Sequence, residues 1–275
     1  LLHRFIPTPT LSSWELGPLT VHFYALTILL GILLALAIGS QRYRSAGGIR
    51  SEIFDLAIFV IPAGIIGGRL YHVITTPELY FDFAATPGTR AHIQNAFKIW
   101  EGGMGIWGAV ALGTFVAYIF YQIKPRSLDF PRALDALAPG ILVAQAVGRW
   151  GNWFNAELFG RPSELPWALQ IPLAHRPIGF QGYSTFHPTF LYESIWCLAV
   201  AGLIIYFPPL KNLKPGNTFL FYVAFYSFGR LWIETLRIDT AHLIFGLRIN
   251  IWVAAVCVLL PTVLIWQRQI SSVDR

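Results

Sequence analysis

The sequence predicts an all-α integral membrane protein: about seven transmembrane helices, a small extracytoplasmic cap, and a second outer arm. Three observations predict it. Only 12% of its 275 residues are charged and 55% are hydrophobic, with a mean hydropathy of +0.55, whereas soluble domains are about one quarter charged. Seven largely apolar stretches approach the roughly 20 residues that cross a bilayer core as a helix. Basic residues crowd into alternate connections between those stretches, the pattern that sets orientation in membranes. Helices are the expected form, because lipid offers a backbone amide no partner outside its own segment.

The stretches fall at about 19–40, 54–75, 104–122, 133–148, 188–207, 218–236 and 249–266. The fourth is the least apolar, since "ALDALAPGILVAQAV" includes Asp135 and Pro139. Connections 41–53 (Arg42, Arg44, Arg50), 123–132 (Lys124, Arg126, Arg132) and 208–217 (Lys211, Lys214), with the tail (Arg268, Arg275), are basic and lie on one side. That side is expected to be the cytoplasm, which puts the N-terminus outside and the C-terminus inside. The other side then carries two long connections. Residues 76–103 read as an outer arm lying on the membrane surface. Residues 149–187, rich in Trp, Phe, Pro and Gly, read as a small folded cap. The whole, 1–275, is expected to be a single domain without internal repeats.

Other classes are excluded by the same numbers. A net charge of +6 scattered between apolar segments does not describe a nucleic-acid-binding surface. Cys197 and Cys257 lie inside apolar runs, so they are packing residues and form no disulfide framework. The chain opens at Leu1, which predicts a trimmed start, and shows no cleavable signal peptide.

Against this apolar background, three Gly-Arg pairs stand out: "GGRLYH" (Arg69), "VGRWGN" (Arg149) and "FGRLWIE" (Arg230). An arginine in a membrane helix costs about 2.5–3.5 kcal/mol on insertion scales unless it is paired or reaches water. Snorkelling to the interface is the plain alternative for Arg69. Tyr226, Arg230 and Glu234 recur at i, i+4, i+8, which stacks them on one helix face. Arg149, Asn152 and Asn155 share a face if the fourth helix continues through "GRWGNWFNAELFG". Glu157 can brace an arginine or present a carboxylate, and Gly148, Gly151 and Gly160 permit tight turns or close approach to the backbone. Two guanidinium forks with amides beside them suit a phosphate. A water-filled anion pathway would use the same groups.

Tyr24 and His187 add polar groups at the start of the first and fifth segments, and Tyr192 and Glu193 follow His187 by about one turn. A histidine at a helix start is more often a cap or packing residue than a catalyst. The sequence lacks H-x-x-x-H or C-x-x-C spacing, a Gly-x-Ser-x-Gly elbow and a Walker loop. The expectation is therefore no metal, no cofactor, no serine nucleophile and no nucleotide.

Together these residues resemble the bacterial prolipoprotein diacylglyceryl transferase family along nearly the whole chain. The strongest match is a Gly-Arg-x-Gly-Asn…Asn-x-Glu-x-x-Gly signature at Gly148, Arg149, Gly151, Asn152, Asn155, Glu157 and Gly160. "FYALTILLG", "GGRLYHV", "EGGMGIWGA", "HPTFLYE" and "YSFGRLWIE" support it. The resemblance implies a multi-pass enzyme of the bacterial cytoplasmic (inner) membrane, its active site towards the outer face. It implies transfer of the diacylglyceryl group of phosphatidylglycerol to the lipobox cysteine of a preprolipoprotein, with release of glycerol 1-phosphate. Implied partners are those two substrates and membrane lipids, with no nucleic acid. Arg149 and Arg230 are expected to bind the phosphate and stabilise its charge, with Glu157 and Glu234 positioning them or accepting a proton. Tyr24, Arg69, Asn152, Asn155, Gly160, His187 and Tyr226 are expected to line the lipid site. One position departs from the family: relatives often carry a histidine where Trp107 stands, so no catalytic histidine is carried over.

Three rivals predict other patterns. An organic-anion transporter or channel would show repeated halves or paired broken helices, and the sequence has neither. A non-catalytic scaffold would use its intramembrane charges as structural pairs, which three Gly-Arg elements exceed. A phosphatidyl transferase would carry clustered metal-binding aspartates.

Overall fold

Each of the seven apolar stretches holds a long helix in the structure, a computed structural model that describes residues 5–17, 19–81, 92–99, 102–241 and 243–270. In chain order the helices are α1 (Phe23–Ser45), α2 (Ser51–Thr75), α3 (Ile106–Ile123), α4 (Phe130–Phe154), α5 (Thr189–Tyr206), the short α6 (Pro208–Lys211), α7 (Asn217–Leu236) and α8 (Ile249–Ile270). Five of them, α1, α2, α3, α5 and α8, are long and apolar enough to cross a membrane. The protein is thus a mainly helical, multi-pass membrane protein. Helices α4 and α7 have the length but also carry charges, and the reason lies in the site below.

Short strands supplement the helices. β1 (Ile6–Pro7) runs parallel to β4 (Leu169–Gln170), which pairs antiparallel with β5 (Thr185–Phe186). β2 (Ser13–Leu16) and β3 (Leu19–His22) form a hairpin with Trp14 opposite Val21. β6 (Leu243–Ile244) and β7 (Leu247–Arg248) form another directly before α8. The first apolar stretch therefore starts as a strand, not at residue 19 as a helix. "LTVH" has a partner in "SWEL", and that pairing outweighs its continuity with the apolar run.

The chain sorts into two compact units, Leu1–Arg42 with Pro131–Arg275, and Tyr43–Phe130. In the first unit α1 crosses α4 where small residues meet. A Cβ on Gly140 would stand 2.7 Å from the Ala35 carbonyl oxygen, and one on Gly31 3.0 Å from that of Ala144. Such small-residue contacts are how helices pack where lipid removes the hydrophobic drive between them. Leu142 and Ala146 of α4 join Cys197, Val200, Ala201 and Ile204 of α5 in one core, against Phe221, Tyr222 and Tyr226 of α7. A second core of Ala156, Phe159, Leu169, Ile171, Phe186 and Phe190 sits around the three-stranded sheet, so the segment after α4 is folded.

Asp135, which makes the fourth stretch look weak as a span, has a structural use. Its carboxylate accepts the N–H groups of Gly216 (2.7 Å) and Phe219 (2.8 Å). These are among the unpaired amides at the start of α7, so a side chain of α4 caps another helix.

In the second unit, α2 and α3 pack through Gly67 and Gly108, each so close to the other's carbonyl that a methyl group would collide. Arg69 of α2 is 8% exposed. Its Nε donates to Ala96 O (2.9 Å), Nη1 to Gly102 O (2.5 Å) and Gly103 O (2.8 Å), and Nη2 to Asn95 O and Lys98 O. Gly102 and Gly103 adopt φ of +86° and +72°, a conformation open to glycine that turns both carbonyls onto the guanidinium. The described part of the 76–103 arm is therefore folded around Arg69. All of the donors on this side chain are spent on backbone carbonyls, so Arg69 fastens the arm to α2. Residues 82–91 and 100–101 of that arm, and the tail beyond Ile270, lie outside the described residues.

Candidate active site

Helix α4 continues into the signature and ends at Phe154, directly before Asn155. Arg149 and Asn152 then face one another, with Arg149 Nη1 3.4 Å from Asn152 Oδ1. The helix ends in a tight turn. Ala156 and Leu158 take φ of +51° and +56°, a region costing a non-glycine residue about 1–2 kcal/mol. Glu157 sits between them and is turned back on the helix: its N–H donates to Asn152 O (3.0 Å), and its Oε1 accepts Asn152 Nδ2 (2.8 Å) and Asn155 Nδ2 (3.3 Å). Glu157 thus holds the two asparagines, one of which meets Arg149.

The loop then closes on the end of α7. Gly160 N–H donates to His187 O (2.9 Å) and Arg161 N–H to Leu236 O (2.8 Å). A side chain at Gly160 would strike His187 Cβ at 2.8 Å and stand 3.1 Å from the Leu236 carbonyl, so glycine is what lets α4, α5 and α7 converge there. Gly151 does the same for α1, since a Cβ there would collide with the Tyr24 ring. Tyr24 is within electrostatic reach of both Glu157 and Arg149.

The centre of the site is Glu193 of α5, 4% exposed. Its Oε1 accepts Arg230 Nη1 at 2.6 Å, and its Oε2 lies 2.6 Å from Arg149 Nε. The second contact is off the line of an N–H, so it is a Coulombic pair without a directed hydrogen bond. Arg230 also pairs with Glu234 one turn later, and Tyr226 one turn earlier contacts Arg149. The i, i+4, i+8 face read from the sequence is present.

Behind Arg230 the network continues. Glu234, fully buried, accepts Arg248 Nε (2.7 Å) and Asn250 Nδ2 (3.0 Å) and lies 3.7 Å from Arg237 Nη1. Asp239 takes Arg237 through two hydrogen bonds (2.7 and 2.8 Å) and Arg248 Nη2 at 2.9 Å. Burial disfavours its charge, but the two guanidiniums outweigh burial and hold the Asp239 carboxyl below the usual range. The chain of ion pairs joins Arg149, Arg230, Arg237 and Arg248 to Glu193, Glu234 and Asp239. With all seven ionised, it carries one positive charge in excess. A phosphodiester, with one negative charge, would neutralise it.

A pocket of about 350 Å³ opens beside the turn, lined by Asn155, Glu157, Leu158, His175, Ile238 and Asp239 among others. His187 precedes α5, its Nδ1 3.1 Å from Tyr192 Oη. Burial, and then the charge of Arg161, push its pKa below the ordinary histidine value, so the ring is neutral at pH 7. Folding therefore disfavours its protonation. Its contribution to stability is complete above about pH 6.5 and is lost as the pH falls through the lowered folded value. His187→Gln should flatten that acid-side loss in thermal unfolding followed from pH 7 to pH 5. The same variant is expected to keep most of its turnover at neutral pH. A loss of about a hundredfold would instead identify a general base.

The structure therefore brings together Tyr24, Arg149, Asn152, Asn155, Glu157, Tyr226, Arg230 and Glu234, with Gly160 and His187 fastening the loop. Arg69 belongs to the other unit, as does Trp107, which lies in the first turn of α3. Sequence reasoning gave no role to Glu193, Arg237, Asp239, Arg248 or Asn250. For Glu193 a signal existed, because a carboxylate inside an apolar helix needs a partner.

Comparison with known proteins bears on the same residues. The family model described as prolipoprotein diacylglyceryl transferase matches residues 12–267. A phosphatidylglycerol–prolipoprotein diacylglyceryl transferase of Cutibacterium acnes is 49% identical over 245 residues, covering 89% of this chain and 80% of its own. Relatives of the same name are each 47% identical, one from Streptomyces griseus (95% of this chain, 77% of its own) and one from Bifidobacterium adolescentis (91% and 76%). A match this long takes in α1 through most of α8, including every residue of the arginine–carboxylate network, and the chain belongs to the prolipoprotein diacylglyceryl transferase family.

Proposed function

We propose that this protein transfers the diacylglyceryl group of phosphatidylglycerol to the lipobox cysteine of preprolipoproteins, the first step of lipoprotein maturation. The observation that carries the reading is Glu193 holding Arg149 and Arg230 together in a network one positive charge in excess. In the reaction the cysteine sulfur forms a bond to the glyceryl carbon, and the bond from that carbon to a phosphate oxygen breaks. The leaving group is glycerol 1-phosphate, so negative charge grows on the phosphate. Fixed guanidiniums aimed at that charge are the catalytic device the chemistry needs. A phosphate monoester leaves without a strong general acid. The thiol proton is lost to solvent or a nearby base, and the guanidiniums favour the thiolate by lowering the thiol pKa. Asn152 and Tyr24 orient the headgroup, Glu157 fixes the asparagines, and Glu234 fixes Arg230.

In this reading all seven long helices cross the bacterial cytoplasmic membrane, with the N-terminus outside. Helices α4 and α7 tolerate their charges because those charges face the network and each other. The sheet-bearing segment after α4 is then the cap, and the site faces the outer leaflet, where a headgroup and a translocated peptide meet. Cysteine placed at Ser184, in the cap, or at Ala46, in the basic connection after α1, would report the orientation in a background without Cys197 and Cys257. An impermeant maleimide should label position 184 and not 46 in intact cells. The reverse pattern would overturn the orientation.

The activity is tested directly by incubating purified protein with phosphatidylglycerol and a lipobox peptide. Mass spectrometry should find a diacylglyceryl thioether on the peptide cysteine, with glycerol 1-phosphate released. An unmodified peptide alongside intact lipid would refute the assignment.

A further inference from the structure

We infer that Glu193 is a positioning residue that holds Arg230 fixed while keeping Arg149 available. This inference rests on the function proposed above. The two arginines share one carboxylate but not on equal terms. Arg230 is clamped from both sides, by a directed hydrogen bond from Nη1 to Glu193 and by Glu234, which is itself fully buried and bonded to Arg248 and Asn250. Arg149 meets Glu193 only through an off-axis Coulombic contact, and its bond to Asn152 is long at 3.4 Å. Of the four arginines in the network its side chain is the most exposed, at 23% against 9–14% for the others.

An off-axis ion pair attracts without fixing direction, because Coulomb energy depends on distance whereas a hydrogen bond also depends on angle. Arg149 can therefore turn its planar fork onto an arriving phosphate without breaking a directed bond to Glu193. Glu193 remains on Arg230 throughout and so keeps the second cation in place. Its charge also competes with phosphate for Arg149. That competition weakens ground-state binding of the lipid and helps expel the product, glycerol phosphate. Binding given up in the ground state favours turnover.

The test is a comparison of wild type, Glu193→Gln and Glu193→Asp in the thioether assay, with glycerol 1-phosphate as inhibitor. Glu193→Gln keeps the shape and loses the charge. It should lower kcat at least tenfold, on the order of removing one electrostatic contributor, while KM for phosphatidylglycerol and the inhibition constant of glycerol 1-phosphate both fall several-fold. A merely structural glutamate would lower thermal stability without tightening either anion. Glu193→Asp, with its carboxylate drawn back by one methylene, should be intermediate in all three constants, and it carries the test if the glutamine variant does not accumulate. Inhibition by glycerol 1-phosphate at wild-type strength in whichever variants fold would overturn the inference while leaving the functional reading intact. A wild-type protein that neither makes thioether nor binds glycerol 1-phosphate would sink both.

Discussion

Replacing Arg149 or Arg230 by lysine is expected to lower turnover of phosphatidylglycerol by about two to three orders of magnitude. Removing a single preorganised donor from a site of developing negative charge costs about 2.7–4 kcal/mol of transition-state stabilisation elsewhere. Lysine keeps the charge but replaces a planar fork by a point donor on a flexible stem. For Arg230 the loss is geometric, because one ammonium cannot reach Glu193 and Glu234 as Nη1 and Nη2 do together. For Arg149 the fold should be little disturbed, since its partners are the long contact to Asn152, Tyr226 and the ion pair with Glu193, which an ammonium can keep. The measurement is kcat and KM for each variant in the thioether assay, beside its thermal midpoint in detergent. Near wild-type rates in both lysine variants would remove the phosphate role from the pair.

The largest stability effect should come from Glu234→Ala. Glu234 has no exposed surface and faces Arg230, Arg237, Arg248 and the Asn250 amide. Deleting one partner of a buried ion pair leaves the other charge uncompensated, at a cost of about 3–5 kcal/mol. For a chain of this size each kcal/mol shifts the melting midpoint by about 2–4 °C, so a drop of roughly 10 °C is the expected reading. Activity should fall with it, because Arg230 loses one of its two clamps. Glu234→Gln, which keeps a carbonyl acceptor for one of its donors, should lose less. A Glu234→Ala protein that melts within a degree or two of wild type would show the network to be energetically idle.

Several parts of this arrangement were legible along the chain because their partners lie within a turn or two. The face formed by Tyr226, Arg230 and Glu234 follows from helical spacing, and α7 carries it. The continuation of α4 into the signature, as far as Phe154, puts Arg149 against Asn152, as the i, i+3 relation requires. Other parts were not legible, for a common reason. The charge of Arg69 is visible in sequence, whereas the carbonyls that hold it come from 26 to 34 residues away and carry no sequence signal. The strand at Leu19–His22 read as helix because apolarity does not show which segment pairs with it.

The sequence by itself determined that the chain spans a membrane in several helices, and which of its charged residues must find partners there. Hydropathy and helical period are local properties, summed over neighbouring residues, and so survive without a structure. Which partners those charges find was decided only by tertiary structure. Glu193 lies 44 residues from Arg149 and 37 from Arg230, and only the convergence of α4, α5 and α7 at Gly160 brings them into one ion-pair chain. Arg248 reaches Glu234 only because the hairpin of β6 and β7 folds the chain back before α8. An ion pair is set by distance in space, and a burial cost of several kcal/mol per ion makes each pair depend on how the helices close around it. Charge at membrane depth is therefore readable from the chain, and its neutralisation is readable only from the fold.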